Sequence, residues 1–191
     1  MTKACDRRIQ HAILDAIESI PHHCSIPALE LTPISDLCHE TVENERIEFV
    51  GDSLLQVCLS LDLYTYLDTV STHVCSVLRS QLVSNVTLAH LAGKLALPTI
   101  SNAPEVLHLS ANLFSSLGSE GKESTNSILV GRAYNKAHGR GLLKDIKRMA
   151  NVFETFLGIL FFEQGFSAVQ LWLRQIYKPL ISIAARALHD L

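Results

Sequence analysis

Glu45-Arg46-Ile47-Glu48-Phe49-Val50-Gly51-Asp52-Ser53-Leu54-Leu55 is the stretch from which the rest of the chain is read. Ile47, Val50 and Leu54 recur at three- and four-residue spacing, and Val57, Leu59 and Leu61 continue the pattern. The spacing predicts a long helix over 42–67. On it Glu48 and Asp52 stand at i and i+4, one turn apart on one face. Two stacked acids in an apolar segment repel each other and resist leaving water. Two readings are open at this point: a solvated acidic face, or a site where a hard divalent cation compensates the pair through carboxylate oxygens. Gly51, between them, gives up about 1 kcal/mol of helix propensity, which points to a close approach there.

Working outward, 191 residues suffice for one well-cored domain and are few for two. The expectation is a single domain over 1–191 with its core in 6–187. A hydrophobic content of 48% with 18% charged residues argues against disorder. No apolar run is long enough to span a membrane and the first residues open no secretory segment, so the chain is expected inside the cell, cytoplasmic or nuclear, and away from membranes. Cys5, Cys24, Cys38, Cys58 and Cys75 are scattered without a CxxC pair, which predicts reduced thiols and no zinc site. The net charge of −3 is not that of a protein gripping nucleic acid by bulk electrostatics. Locally, Arg132, Lys136, Arg140, Lys144, Lys147 and Arg148 form a basic run with Asp145 as its one acid. That run reads either as a strip for a phosphate backbone or as a solvated helix face.

Helical periodicity recurs along the chain and strand alternation does not, which predicts an all-α fold. Helices are expected over 6–20, within 27–39, over 42–67, over 142–162, and over 167–187 with a break or kink at Pro179. His22, His23 and Cys24 read as a surface loop. Two further helices share 71–95, meeting at Ser84-Asn85 with Asn85 as the cap. A weaker helix is expected over 105–117, and a mobile loop over 115–127, where small polar residues show no apolar period.

The helix after Leu142 carries Asn151-Val152-Phe153-Glu154-Thr155-Phe156-Leu157-Gly158, with Asn151 and Glu154 at i and i+3 among apolar residues. Two helices that each bring a polar pair can converge on one cation. The two segments together resemble the ribonuclease III family. Asn44 to Ser53 is similar to its signature, and Asn151 to Gly158 is similar to its Asp-x-x-Glu helix. Leu37-Cys38-His39, the run from Leu78 to Asn85, and Lys147 agree as landmarks.

The resemblance implies an all-helical endonuclease domain that forms a homodimer with a groove for RNA. It implies magnesium-dependent hydrolysis of RNA, with manganese as an alternative ion, leaving 5′-phosphate and 3′-hydroxyl ends in RNA processing or silencing. Glu48, Asp52, Asn151 and Glu154 fall on the catalytic and metal positions. Glu45, Arg79 and Lys147 fall near RNA or the site's edge, and Phe49 on an aromatic that enters the partner subunit.

The chain departs from the pattern at Asn151, where the family has Asp. Asn keeps one neutral carbonyl oxygen and removes a negative charge. Three readings follow: altered metal use, a silent RNA-binding or dimerisation module, or a substitution introduced to trap a complex. Thr72 or His73 stands where bacterial members often carry another acid. No double-stranded-RNA-binding domain is expected in the four residues after Ala187. The expectation is then either a catalytic domain excised from a longer protein or RNA delivered by a separate domain or protein. The substrate is duplex RNA by resemblance, or single strands if the loop over 118–126 reshapes the groove.

Overall fold

The structure, a computed structural model, describes residues 3–19, 27, 29, 41–95, 97 and 140–189. These residues form α1 (Lys3–Ser19), α2 (Val42–Tyr66), α3 (Thr72–Leu82), α4 (Asn85–Lys94), α5 (Arg140–Gln164) and α6 (Phe166–His189), with no strand among them. The fold is all-α, as the periodicity requires. No helix of the described residues is long and apolar enough to cross a membrane.

Short hydroxyl side chains start three of these helices. Thr41 Oγ1 accepts from the Asn44 amide at 3.2 Å, Ser71 Oγ from the Val74 amide at 3.4 Å, and Ser84 Oγ from the Thr87 amide at 3.3 Å. Each satisfies one of the amides that a helix start leaves without a carbonyl. The cap of α4 is therefore Ser84, and Asn85 is its first helical residue, a correction to the sequence expectation. Gly165, at φ 81°, separates α5 from α6, and its amide donates to Phe161 O at 2.8 Å.

Instead of breaking, α6 continues through Pro179. Proline removes one amide and so frees the carbonyl of Gln175, one turn earlier. Both residues are exposed, and water can satisfy that carbonyl. The expected segments over 27–39 and 105–127, and His22, His23, Cys24, Arg132 and Lys136, lie outside the described residues, save positions 27 and 29.

α5 is the central helix and packs most extensively on α2, then on α4. Its inner face supplies Phe153, Phe156, Leu157 and Leu160, all fully buried. Trp172 of α6 stacks on Phe153 and tilts against Phe156, with ring centroids 5.8 and 5.0 Å apart. α1 closes the other side with Ile9, Ile13, Leu14 and Ile17. A buried polar network pins it there: Gln10 Nε2 donates to Thr87 Oγ1 at 2.6 Å and Ser84 Oγ donates to Gln10 Oε1 at 3.0 Å.

The α2–α5 crossing is set by two glycines. A methyl group at Gly51 would land on the Glu154 carbonyl, and one at Gly158 on the Ile47 carbonyl. Each helix uses the other's missing side chain, so the backbones touch. The acids beside Gly51 and the polar pair beginning at Asn151 are thereby held facing each other.

Candidate active site

At that crossing lies a cavity of about 520 Å³ lined by Glu45, Glu48, Phe49, Asp52, Asn85, Lys147, Asn151 and Glu154. α2 brings four of these residues, α5 three, and α4 Asn85. Glu48 and Asp52 of α2 and Asn151 and Glu154 of α5, two pairs far apart in the chain, line one space. Glu45 is exposed at its rim, and Lys147 also enters it.

Charge in the cavity is poorly balanced. Burial pushes the Glu154 carboxyl up to about 8, and the charges of Asp52 and Glu48 push in the same direction, with Lys147 as the opposing influence. The Glu48 carboxyl is also raised, first by burial; Lys147 pulls it down while Glu45 and Asp52 push it up. The Asp52 carboxylate has a partner within its own helix, because Gln56 Nε2 donates to Oδ1 at 3.4 Å. Behind Glu154 the fully buried Tyr177 hydroxyl donates to Leu82 O at 3.4 Å. Burial and the Glu154 charge raise that hydroxyl well above its usual range, so it stays protonated.

The donor set suits a hard divalent cation: carboxylates of Glu48, Asp52 and Glu154, with the Asn151 side-chain carbonyl as a neutral oxygen. The Glu154 carboxyl is raised to about 8 first by burial and then by the charges of Asp52 and Glu48, and a cation beside it would favour its ionised form. Among the described residues, no group of three or more His, Cys, Asp or Glu side chains is placed to hold a metal ion by itself. Magnesium tolerates such an open arrangement, since it keeps several waters and takes one or two carboxylates directly. The residues present fit such an ion.

Arg79 stands apart from the cavity lining. Its Nη1 donates to Ser60 Oγ at 2.7 Å, tying α3 to the second half of α2. Thr72 and His73 are exposed in the first turn of α3 and do not line the cavity either. Asn85 was missed as a site residue; its place at the end of the matched run from Leu78 was the available signal, obscured by reading it as a cap.

Phe49 faces outward, 73% exposed. It borders the acidic cavity and also an apolar surface made with Val50, Val57, Phe161, Phe162 and Phe166. Val57 and Phe162 are likewise exposed.

The ribonuclease III domain family matches residues 45–165, a segment that contains every residue lining the acidic cavity. The chain is similar to "Ribonuclease 3" of Halalkalibacterium halodurans, 32% identical over 143 residues, which cover 75% of this chain and 43% of that protein. It is similar to "Ribonuclease 3-like protein 2" of Arabidopsis thaliana, 29% identical over 150 residues, covering 76% of this chain and 35% of that protein. With "Ribonuclease 3" of Bacillus cereus the identity is 28% over 143 residues, 75% of this chain and 46% of that protein. The chain thus spans under half the length of these curated relatives. No solved structure gives a significant match. With more than half of its length inside the matched segment, the chain belongs to the ribonuclease III domain family.

Proposed function

We propose that the chain is a single endoribonuclease domain that hydrolyses RNA phosphodiesters to 5′-phosphate and 3′-hydroxyl ends with magnesium or manganese. The observation that carries this is the cavity itself, where Glu48, Asp52 and Glu154 meet with Lys147 as a lining cation. Glu48, Asp52, Asn151 and Glu154 would hold the ion. When bound, it lowers the pKa of a water and offsets the charge that develops on the phosphorus oxygens and the leaving 3′-oxygen. The chain's own part is to fix donors on two helices locked at Gly51 and Gly158. Lys147 offers its ammonium to the phosphate, and Glu45 edges the RNA at the rim.

Asn151 sets the site's charge one unit lower than four carboxylates would, so the ion is held more weakly. With a net charge of −3, unaided RNA binding is weak and salt-sensitive, which favours delivery of RNA by a separate domain or protein. The substrate is duplex RNA, with single strands as the alternative, in processing or silencing inside the cell. The free thiols of Cys58 and Cys75 suit that reducing setting.

The test is cleavage of labelled duplex and single-stranded RNA with magnesium or manganese by the native chain, Glu154→Ala and Asn151→Asp. The native chain cuts, Glu154→Ala loses at least about 10²-fold, and Asn151→Asp works at lower metal concentration. Asn151 also favours a second reading, a silent RNA-binding or dimerisation module. Equal background cleavage by the native chain and Glu154→Ala selects it.

The exposed apolar surface around Phe49 supports a homodimer, in which a second copy covers it. Phe49→Ala shifts the mass in sedimentation toward monomer; an unchanged dimer removes Phe49 from the interface.

A further inference from the structure

Asp52 is held differently from the other groups that would surround the ion. Gln56 Nε2 donates to its Oδ1 at 3.4 Å, whereas among the described residues no hydrogen bond is made to the side chains of Glu48, Asn151 or Glu154. Gln56 stands one turn behind Asp52 on α2, half-buried and outside the cavity lining. It reaches the site only through that carboxylate. A carboxylate turns about its side-chain bonds, and an ion that binds it must arrest those rotations. A donor on one oxygen arrests them beforehand and leaves the other oxygen for the ion.

The kind of donor matters as much as its place. An amide is neutral, so it orients the carboxylate without cancelling its charge. At Asp62 the donor is instead the guanidinium of Arg174, and the charge is answered within the protein. α3 brings a guanidinium to the face of α2 that carries Asp52, but places it elsewhere. Arg79 Nη1 donates to Ser60 Oγ at 2.7 Å, and Ser60 Oγ donates to the Gln56 carbonyl at 2.6 Å. Asp52, Gln56 and Ser60 recur at i, i+4 and i+8, so Arg79 meets α2 two turns away, about 12 Å along the axis. With Asn151 neutral, the proposed ion set has three carboxylates, and a neutral donor keeps Asp52 fully charged among them.

We infer that Gln56 is a positioning residue, whose amide sets the Asp52 carboxylate so that its free oxygen faces the divalent ion. This role deepens the endoribonuclease reading and rests on the ion proposed there.

The test is the affinity of the full chain for manganese and for magnesium, by titration calorimetry without RNA, beside cleavage as a function of metal concentration. Gln56→Met keeps the length and helix propensity of the side chain and removes the donor. It weakens the hold on either ion about tenfold, the lower end of what losing such an outer partner costs. Its cleavage needs more metal by the same factor and returns to near the native rate at saturation, with KM for RNA unchanged. Gln56→Lys, which still reaches Oδ1 but brings a cation, weakens the hold further. In chelator neither variant melts below the native chain. Affinities of Gln56→Met within twofold of native overturn the assignment and leave the endoribonuclease reading intact. A loss that comes with a lower melting temperature in chelator overturns it in favour of a structural role. A native chain that holds neither ion overturns the metal reading and Gln56 with it. A native chain that holds the ions about tenfold better than Gln56→Met yet cuts no RNA upholds the positioning role and overturns the endoribonuclease reading.

Discussion

Both halves of α2 carry carboxylates into the protein, and the chain treats them in opposite ways. In the second half Asp62 is 1% exposed, and its Oδ1 accepts from Nε and Nη2 of Arg174, each at 3.0 Å. In the first half Glu48 and Asp52 face Glu154 across a cavity where, among the described residues, Lys147 is the cation in the lining. Asp62 is compensated by a guanidinium from α6, the helix beside it. The cavity acids are left short of positive charge. An acid answered by the protein's own guanidinium is part of the scaffold, whereas three acids sharing one lysine are where the proposed ion would be held. Cys58, one turn before Asp62, fits the scaffold reading. Burial and the Asp62 charge push its thiol up to about 11, against the pull of Arg174, so it stays protonated and unreactive.

The larger effect expected from this contrast is on the scaffold side. Arg174→Ala leaves Asp62 buried without its counter-charge, and breaking a buried pair from one side costs about 3–5 kcal/mol. Arg174 is itself 39% exposed, so the loss falls at the low end, about 2–3 kcal/mol after allowing for solvent screening. Urea denaturation of the native and variant chains measures it. Replacing both partners, Asp62→Leu with Arg174→Met, recovers most of the loss because no charge is then stranded. If Arg174→Ala unfolds at the native midpoint, Asp62 is not held by its partner and the contrast between the two halves collapses.

Much of this was legible in the sequence, and the reasons differ by residue. The 3.6-residue period exposed α5 and α6 because their buried faces are rows of aliphatic and aromatic residues; in α2 the buried face is Gly51, Leu55, Cys58, Leu59, Asp62 and Leu63, while Val57 and Leu61 of its pattern are exposed. The Glu48–Asp52 pair was visible because acids are conspicuous on an apolar helix, and Gly51 because it is a poor helix former with no local reason to be there. The other half of its reason, Gly158 pressed on Ile47, needed the crossing itself. Asn85 was misread because Ser and Asn compete for the same cap, and sequence does not tell which of two adjacent residues turns its side chain back on the helix. Pro179 was expected to break or kink α6, and the helix is not broken there. Whether a proline breaks a helix depends on whether the freed carbonyl can meet water, a tertiary fact. Asp62 passed unnoticed for the same cause: its partner lies on a helix far along the chain.

The smaller effect lies on the cavity side and has the opposite sign. The Glu154 carboxyl titrates near its ordinary 4.5 in the unfolded chain and at about 8 when folded. Below the lower value it is protonated in both states and favours neither. Between the two, the folded chain keeps a proton that the unfolded chain has released, so stability falls as pH rises. Above about 8 the loss is complete. Glu48, also raised, adds to the same trend. In a chelator-treated sample the melting temperature should therefore drop by a few degrees across this window. Glu154→Gln, which cannot ionise, should flatten the slope and melt higher than the native chain at the alkaline end, even as it abolishes cleavage. Saturating magnesium or manganese should reverse the slope in the native chain, because the ion favours the ionised carboxylates. If Glu154→Gln instead lowers the melting temperature and leaves the pH slope unchanged, Glu154 is compensated within the protein as Asp62 is, and the cavity was not built for an ion.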